Sequence, residues 1–323
     1  MKSKIKISLL LQQLLRCPIC QGNLELINYD QQFKCSQTGC GAFFPIIDNI
    51  PCLLNENSSI FPLDDFIQHK KTTFKLSENK IKKLIDKLIP SISISIKTKA
   101  NYKKFAEKLL AKSSNPRVLV VGGSIVGQGM EVMFSYPTVE LIESDVSFGP
   151  RTALICDAHD LPFKNESFDG VIVQAVLEHV VDPNLCVEEI HRVLKKAGLV
   201  YAETPFMQQV HSGKYDFTRF THLGHRRLFR KFEQIESGAV CGPGMALAWS
   251  YQYFLCSFTQ TKSIRRLIIV FARLTSFFFK YFDYYLINKA GTLDAASGYF
   301  FMGQKSDLIL SDKELIKLYE GAN

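Results

Sequence analysis

Hydrophobic and polar positions along this chain fall into two rhythms. Short apolar runs at Val118–Val121, Val139–Ile142, Ala153–Cys156, Leu199–Glu203, Phe232–Val240 and Gly298–Gly303 read as strands, with a further one ending at Gln174–Ala175. An unbroken run such as Val118–Val121 suits a parallel sheet covered on both faces. Asn184–Leu194 repeats apolar residues at helical spacing, as do Lys80–Ile89 and Ala100–Lys112 ahead of the first strand. Strands alternating with helices predict an α/β fold with a parallel sheet.

The turn after the first strand is glycine-rich, with Gly122, Gly123, Gly127 and Gly129, and a helix is expected between it and the second strand. Glycines let the chain turn sharply and let a ligand approach the backbone. The second strand ends at Glu143-Ser144-Asp145, about 20 residues after the first glycine, where an acid can accept hydrogen bonds from ribose hydroxyls. The loop spacing is neither G-x-G-x-x-G nor a P-loop. A tight strand–helix turn without a ligand is the plain alternative. Asp157 and Asp160, after the third strand, can equally cap a turn.

Further motifs follow in a fixed order: Asp157-Ala158-His159-Asp160-Leu161-Pro162-Phe163, Ser167-Phe168-Asp169, Leu177-Glu178-His179-Val180, Asp182-Pro183, and Glu189-Ile190-His191-Arg192-Val193-Leu194-Lys195. Across about residues 116–235 this string resembles the class I S-adenosylmethionine-dependent methyltransferases. The resemblance implies a seven-stranded Rossmann-like sheet with S-adenosylmethionine as cofactor. It places Gly122, Gly123, Gly127 and Gly129 along the methionine and ribose, Asp145 at the ribose, Asp157 at the adenine amino group, and Gln174 near the methyl group. His179 is expected early in a helix, with a structural role.

Cys17-x2-Cys20 and Cys35-x4-Cys40 are two close pairs separated by fourteen residues. Four thiolates on hairpin turns suit a closed tetrahedral zinc site, structural and not catalytic. The tail Phe44-Pro45-Ile46-Ile47-Asp48-Asn49-Ile50-Pro51 completes a resemblance, over residues 16–54, to the short zinc-ribbon proteins that accompany tRNA and release-factor methyltransferases. The resemblance implies a structural or partner-binding role. The chain therefore divides into a ribbon at 1–54, a linker with leading helices at 55–115, and a methyltransferase domain at 116–323.

Composition sharpens this only slightly. At 46% hydrophobic the chain is globular, and its net charge of +8 leaves room for anionic partners. Nine cysteines, an odd number with four in a metal-like cluster, suit a reducing compartment. Met1–Arg16 has a basic opening and an apolar run, but Gln12 and Gln13 interrupt it and no small-residue cleavage site follows. It reads as a leader packed on the ribbon of a cytoplasmic protein. Between the last two strands, residues 241–297 form an insertion dense in aromatics. It is expected to be a helical cap on the core. A membrane-interface face, with Arg265, Arg266, Arg273 and Lys280 toward headgroups, is the second reading, and a dimer surface the third.

Catalytic groups must stand beyond the fourth and fifth strands. The segment after Pro205 supplies His211, Asp216 and Arg219. Imidazole titrates near neutrality, so His211 is the candidate general base. Asp216 would orient it and Arg219 would clamp an anionic substrate; the alternative is an Asp216–Arg219 ion pair that fixes the loop. No Asn/Asp-Pro-Pro-Tyr/Phe follows the fourth strand, which argues against adenine amino methylation. Cys156 and Cys186 look like core thiols. The expected activity is methyl transfer to oxygen or nitrogen of a small-molecule, sugar or lipid-linked substrate. An RNA methyltransferase is the runner-up, and a non-catalytic binding module with the same fold is the rival from another class.

Overall fold

The computed structural model describes residues 5–27, 31–70 and 88–322. The helix predicted over Lys80–Ile89 lies almost wholly outside the described residues. Seven strands make the central sheet: β5 (Arg117–Val121), β6 (Glu140–Asp145), β7 (Leu154–Ile155), β8 (Phe168–Gln174), β9 (Leu194–Pro205), β10 (Phe232–Cys241) and β11 (Gly298–Lys305). Their order is β10-β11-β9-β8-β5-β6-β7. β5 to β9 pair in parallel, and β11 runs antiparallel between β9 and β10. The chain leaves β5 toward β6 and β7, then returns to β8 on the other side. That reversal opens a crevice at the carboxyl ends of β5 and β8, where ligands bind in open α/β sheets.

The residues dictate the elements that frame this crevice. Val118 to Val121 are all buried, as an unbroken apolar run requires of a strand covered on both faces. The helix Pro183–Val193 starts where the Asp182 carboxylate accepts the N–H groups of Asn184 and Leu185. It buries Cys186, Val187, Ile190 and Val193 along one face. The helix Thr98–Leu110 buries Tyr102, Phe105, Ala106 and Leu109 on the other side of the sheet. The expected helix after the glycine loop is instead a 3-10 helix, Met130–Ser135. Gly129 precedes it with φ 83°, and Pro137 follows Tyr136, so the chain has no room to propagate a longer helix. His179 likewise sits in a turn, not in a helix.

The ribbon is a four-stranded antiparallel sheet: β1 (Leu24–Ile27), β2 (Gln32–Cys35), β3 (Phe43–Ile47) and β4 (Ile50–Pro51). It packs directly on the sheet edge at β7. Cys52 bridges Ile155 in parallel, and the Leu53 N–H donates to the Ile155 carbonyl at 2.8 Å. Leu15 bridges Phe163. Ile7, Leu11, Leu15, Phe33, Phe44 and Leu53 lie in one apolar cluster with Leu154, Phe163 and Phe168.

The insertion is helical. Pro243–Cys256 and Lys262–Ser276 pack side by side, followed by a 3-10 turn, Phe277–Phe282, and two short helices. Buried Asp283 accepts the N–H groups of Gly244 and Met245, capping the first of these helices from forty residues downstream. Much of the aromatic surface stays outside: Phe258 is 74%, Leu267 70% and Tyr285 72% exposed. Among the described residues, no helix is long and apolar enough to cross a membrane.

Candidate active site

Two clefts meet at the carboxyl ends of β8 and β9. The first, about 770 Å³, is lined by Gly122, Asp145, Asp157, Ala158, Ala175, Val176 and His179. The second, about 820 Å³, is lined by Gly127, Gln174, Ala175, Glu178, Glu203, Gln208, His211 and Met245. Ala175 belongs to both and holds a left-handed backbone, φ 53°, a conformation that costs free energy in a non-glycine residue and clusters at functional sites.

In the first cleft Gly122 has φ 75°, and a Cβ there would stand 2.3 Å from Val176 Cγ2. Only glycine fits. Asp145 ends β6, with Oδ2 accepting the Ser124 N–H at 3.0 Å. Burial raises its carboxyl above the usual range, and the Ser124 hydrogen bonds oppose this. Burial pushes Asp157 the same way, but the His159 ring and the Ser59 hydroxyl outweigh it and hold that carboxyl below its usual range. Asp160 lies outside the cleft, bound to Ser58 and Asn55. Thus the strap Asn55–Phe61, just beyond the ribbon, is tied to Asp157 and Asp160 and borders the cleft. Ile60 and Phe61 line it, and the Phe61 ring meets Tyr215 at 5.4 Å. The strap's residues read in sequence as a polar linker with an aromatic patch near Phe61 and Phe66, which does not show what that patch packs on. A carboxylate at the end of β6, close backbone at Gly122 and apolar walls beyond Asp157 fit an adenosine-bearing cofactor.

The remaining glycines and Gln174 stand elsewhere. A Cβ on Gly123 would meet Glu143, and one on Gly129 would meet Thr98. Gly127 faces Gln174, whose Oε1 would lie 1.8 Å from an added Cβ. The Gln174 amide donates to Gln128 O and Glu203 Oε2 and accepts from the Tyr102 hydroxyl. It therefore ties the glycine loop to β9 and fronts the second cleft.

His211, Asp216 and Arg219 come together beside that cleft. Asp216 accepts the His211 N–H at 2.9 Å and pairs with both terminal nitrogens of Arg219. Burial would raise the Asp216 carboxyl, but Arg219 and the His211 N–H bring it down to about 2. Arg219 also donates to Gln208, Gln209 and Thr218 carbonyls, so its guanidinium is engaged within the loop. Next to His211 stands Glu178, fully buried, with neither carboxylate oxygen hydrogen-bonded. A sequence cannot tell such a buried carboxylate from a surface one. Burial pushes it up to about 8.

In the ribbon the four sulfurs of Cys17, Cys20, Cys35 and Cys40 lie within 4.8 Å of one another. Cys17 to Cys40 is 3.8 Å and Cys20 to Cys35 is 3.4 Å. A tetrahedron with metal–sulfur bonds of about 2.3 Å has edges of about 3.8 Å, so the donor set fits a tetrahedral metal.

Residues 130–202 match the family described as a methyltransferase domain. Together with the sheet order, this match gives the core a Rossmann-like methyltransferase fold. The ubiquinone/menaquinone biosynthesis C-methyltransferase UbiE of Geotalea daltonii is 27% identical over 151 residues, 39% of this chain and 64% of that protein. The chain thus spans less than two thirds of that curated relative's length. An uncharacterized protein of Methanocaldococcus jannaschii is 43% identical over 47 residues, 15% of this chain and 23% of its own. Among solved structures, phosphoethanolamine N-methyltransferase 2 of Haemonchus contortus with S-adenosyl-L-methionine has a TM-score of 0.40 at 16% identity, covering 64% of this chain and 53% of that one. The complex of the Haloferax volcanii Trm112 methyltransferase activator with a methyltransferase has a TM-score of 0.34 at 19% identity, covering 66% of this chain and 100% of that one. Both clefts of the methyltransferase domain open on the carboxyl edge of its sheet.

Proposed function

We propose that the protein transfers a methyl group from S-adenosylmethionine to an oxygen or nitrogen of a small or lipid-linked acceptor. The observation that carries this reading is the junction at Ala175, where a cleft suited to adenosine opens beside a second, polar one. When bound, the cofactor supplies an electrophilic methyl on its sulfonium. The chain supplies alignment and handles the acceptor's proton. Asp145 accepts from the ribose, Asp157 stands at the adenine, and the strap residues Ile60 and Phe61 exclude water from that end. Gln174 acts by positioning, since its amide holds the Gly127–Gly129 loop against Glu203. Nδ1 of His211 lies 3.5 Å from Asp216 Oδ2 and 3.2 Å from Gln209 O. A proton on Nδ1 leaves a lone pair on Nε2, where the proton of an O–H or N–H acceptor is drawn off. Arg219 fixes Asp216 and thereby the ring.

The acceptor cleft borders the insertion: Met245 lines it, while the same helix turns Leu247 and Phe254 outward. An acceptor with a lipid tail could remain partly in a bilayer while its polar head enters. The four ribbon cysteines hold a structural zinc in this reading.

Calorimetry with S-adenosylhomocysteine tests the cofactor assignment. Saturable binding is expected, weakened about 10- to 100-fold in Asp145→Ala, which loses charge-assisted hydrogen bonds of about 1.5–3 kcal/mol. No binding at millimolar ligand, or equal binding by the variant, would overturn it.

A further inference from the structure

Glu178, His179 and His211 form a cluster that straddles the wall between the two clefts, with His179 on one side and Glu178 and His211 on the other. Three features of this cluster go together. Glu178 Oε1 lies 3.6 Å from His179 Nε2 and 3.8 Å from His211 Nε2. Neither Glu178 oxygen has a hydrogen-bond partner, although the side chain is wholly buried. Both imidazoles are turned by contacts on their far nitrogens: Nδ1 of His179 is 2.8 Å from the Tyr215 carbonyl, and Nδ1 of His211 faces the Gln209 carbonyl and Asp216. A proton on each Nδ1 leaves the Nε2 lone pair of His211 facing Glu178, and that of His179 facing Glu178 and the Ser212 hydroxyl. Lone pairs that face a buried carboxyl group are costly unless a proton or a cation joins them, and a cation joins all three groups at once.

We propose that Glu178, His179 and His211 bind a divalent first-row metal ion. A four-coordinate ion with ligand bonds of about 2.0–2.1 Å sets its ligands about 3.4 Å apart. The two distances from Glu178 exceed this by a few tenths of an ångström, and all three donor atoms lie within 4.8 Å of one another. Carbonyl and carboxylate contacts on the outer nitrogens are the usual orienting shell of metal-bound histidines. The Ser212 hydroxyl, 3.2 Å from His179 Nε2, stands at the rim. Two histidines and one carboxylate leave coordination positions open toward the acceptor cleft. The ion would take an oxygen of the acceptor there, a hydroxyl or a phosphate. This deepens the methyl-transfer reading and rests on it for the acceptor only. With the ion in place Nε2 of His211 would be a ligand and no longer the base; the ion's charge would lower the pKa of a bound hydroxyl, whose proton would pass to solvent water.

The full-length protein loaded with one equivalent of zinc, which the four thiolates take up, and freed of excess zinc is titrated with Mn2+ to test the site, because manganese prefers nitrogen and oxygen donors to thiolates. Trp249, the one tryptophan of the chain, has its ring 6.3 Å from that of His211 and reports through quenching. Loss of the free Mn2+ resonance signal gives stoichiometry. One ion per chain with saturable quenching is expected. Glu178→Gln and His211→Asn should abolish both, and Asp216→Asn should weaken binding about 10- to 100-fold. Absence of saturable binding in the wild type overturns the proposal, as does unchanged binding in the folded variants. Should Glu178→Gln fail to fold by circular dichroism, His211→Asn, whose side chain is partly exposed, decides alone. Manganese binding is read without turnover, so it stands or falls separately from binding of S-adenosylhomocysteine.

Discussion

Glu178 owes its chemistry to burial, which is a property of the fold and not of the letter. His225 is another such residue. It is buried among Phe220, Phe229 and Phe301, beside His222, and its Nε2 has no partner. Burial first, and then His222, bring its pKa down to about 3. The unfolded chain therefore binds a proton near pH 6.5 that the folded chain refuses until about pH 3. Stability is full above pH 6.5 and falls as the pH drops toward 3. Urea midpoints measured at pH 7 and pH 5 should show this loss, and His225→Leu should flatten it. An unchanged slope in that variant would exclude His225 as the source.

At the scale of elements, period and cap served well where packing follows locally. The helix Pro183–Val193 announces itself through Asp182-Pro183 and its apolar spacing. The 3-10 helix Met130–Ser135 escaped because glycine and proline together cut short a segment whose apolar content looks helical. The insertion showed its helices but not which face they bury. Ile264, Leu267, Phe271 and Leu274 make an exposed stripe on Lys262–Ser276, fringed by exposed Lys262, Arg265 and Arg266. Such a helix suits the interface of an anionic bilayer. Co-sedimentation with phosphatidylserine-containing vesicles should exceed that with neutral vesicles and weaken with salt. Leu267→Glu with Phe271→Glu should reduce it about tenfold or more. Equal recovery with neutral and anionic vesicles would count against a membrane face.

For the whole molecule, the seven-stranded sheet was expected from the resemblance that the ordered motifs carry, and the structure has it. The docking of the ribbon was not, since Ile7, Leu15 and Phe44 look in sequence like the private core of a small domain. In the fold they share one apolar cluster with Phe163 and Phe168. Metal bound at Cys17, Cys20, Cys35 and Cys40 should therefore stabilise the methyltransferase core as well. Chelation is expected to lower a single calorimetric transition by several degrees. Two separate transitions, with the upper one unmoved, would show that the ribbon folds on its own account.

The strap Asn55–Phe61 joins the ribbon to the first cleft. Ile60 and Phe61 line that cleft, and the same short segment leaves the ribbon's last strand. A molecule that gripped the ribbon and altered this segment would change the affinity of the cleft for its ligand, and by reciprocity a filled cleft would change that grip by the same factor.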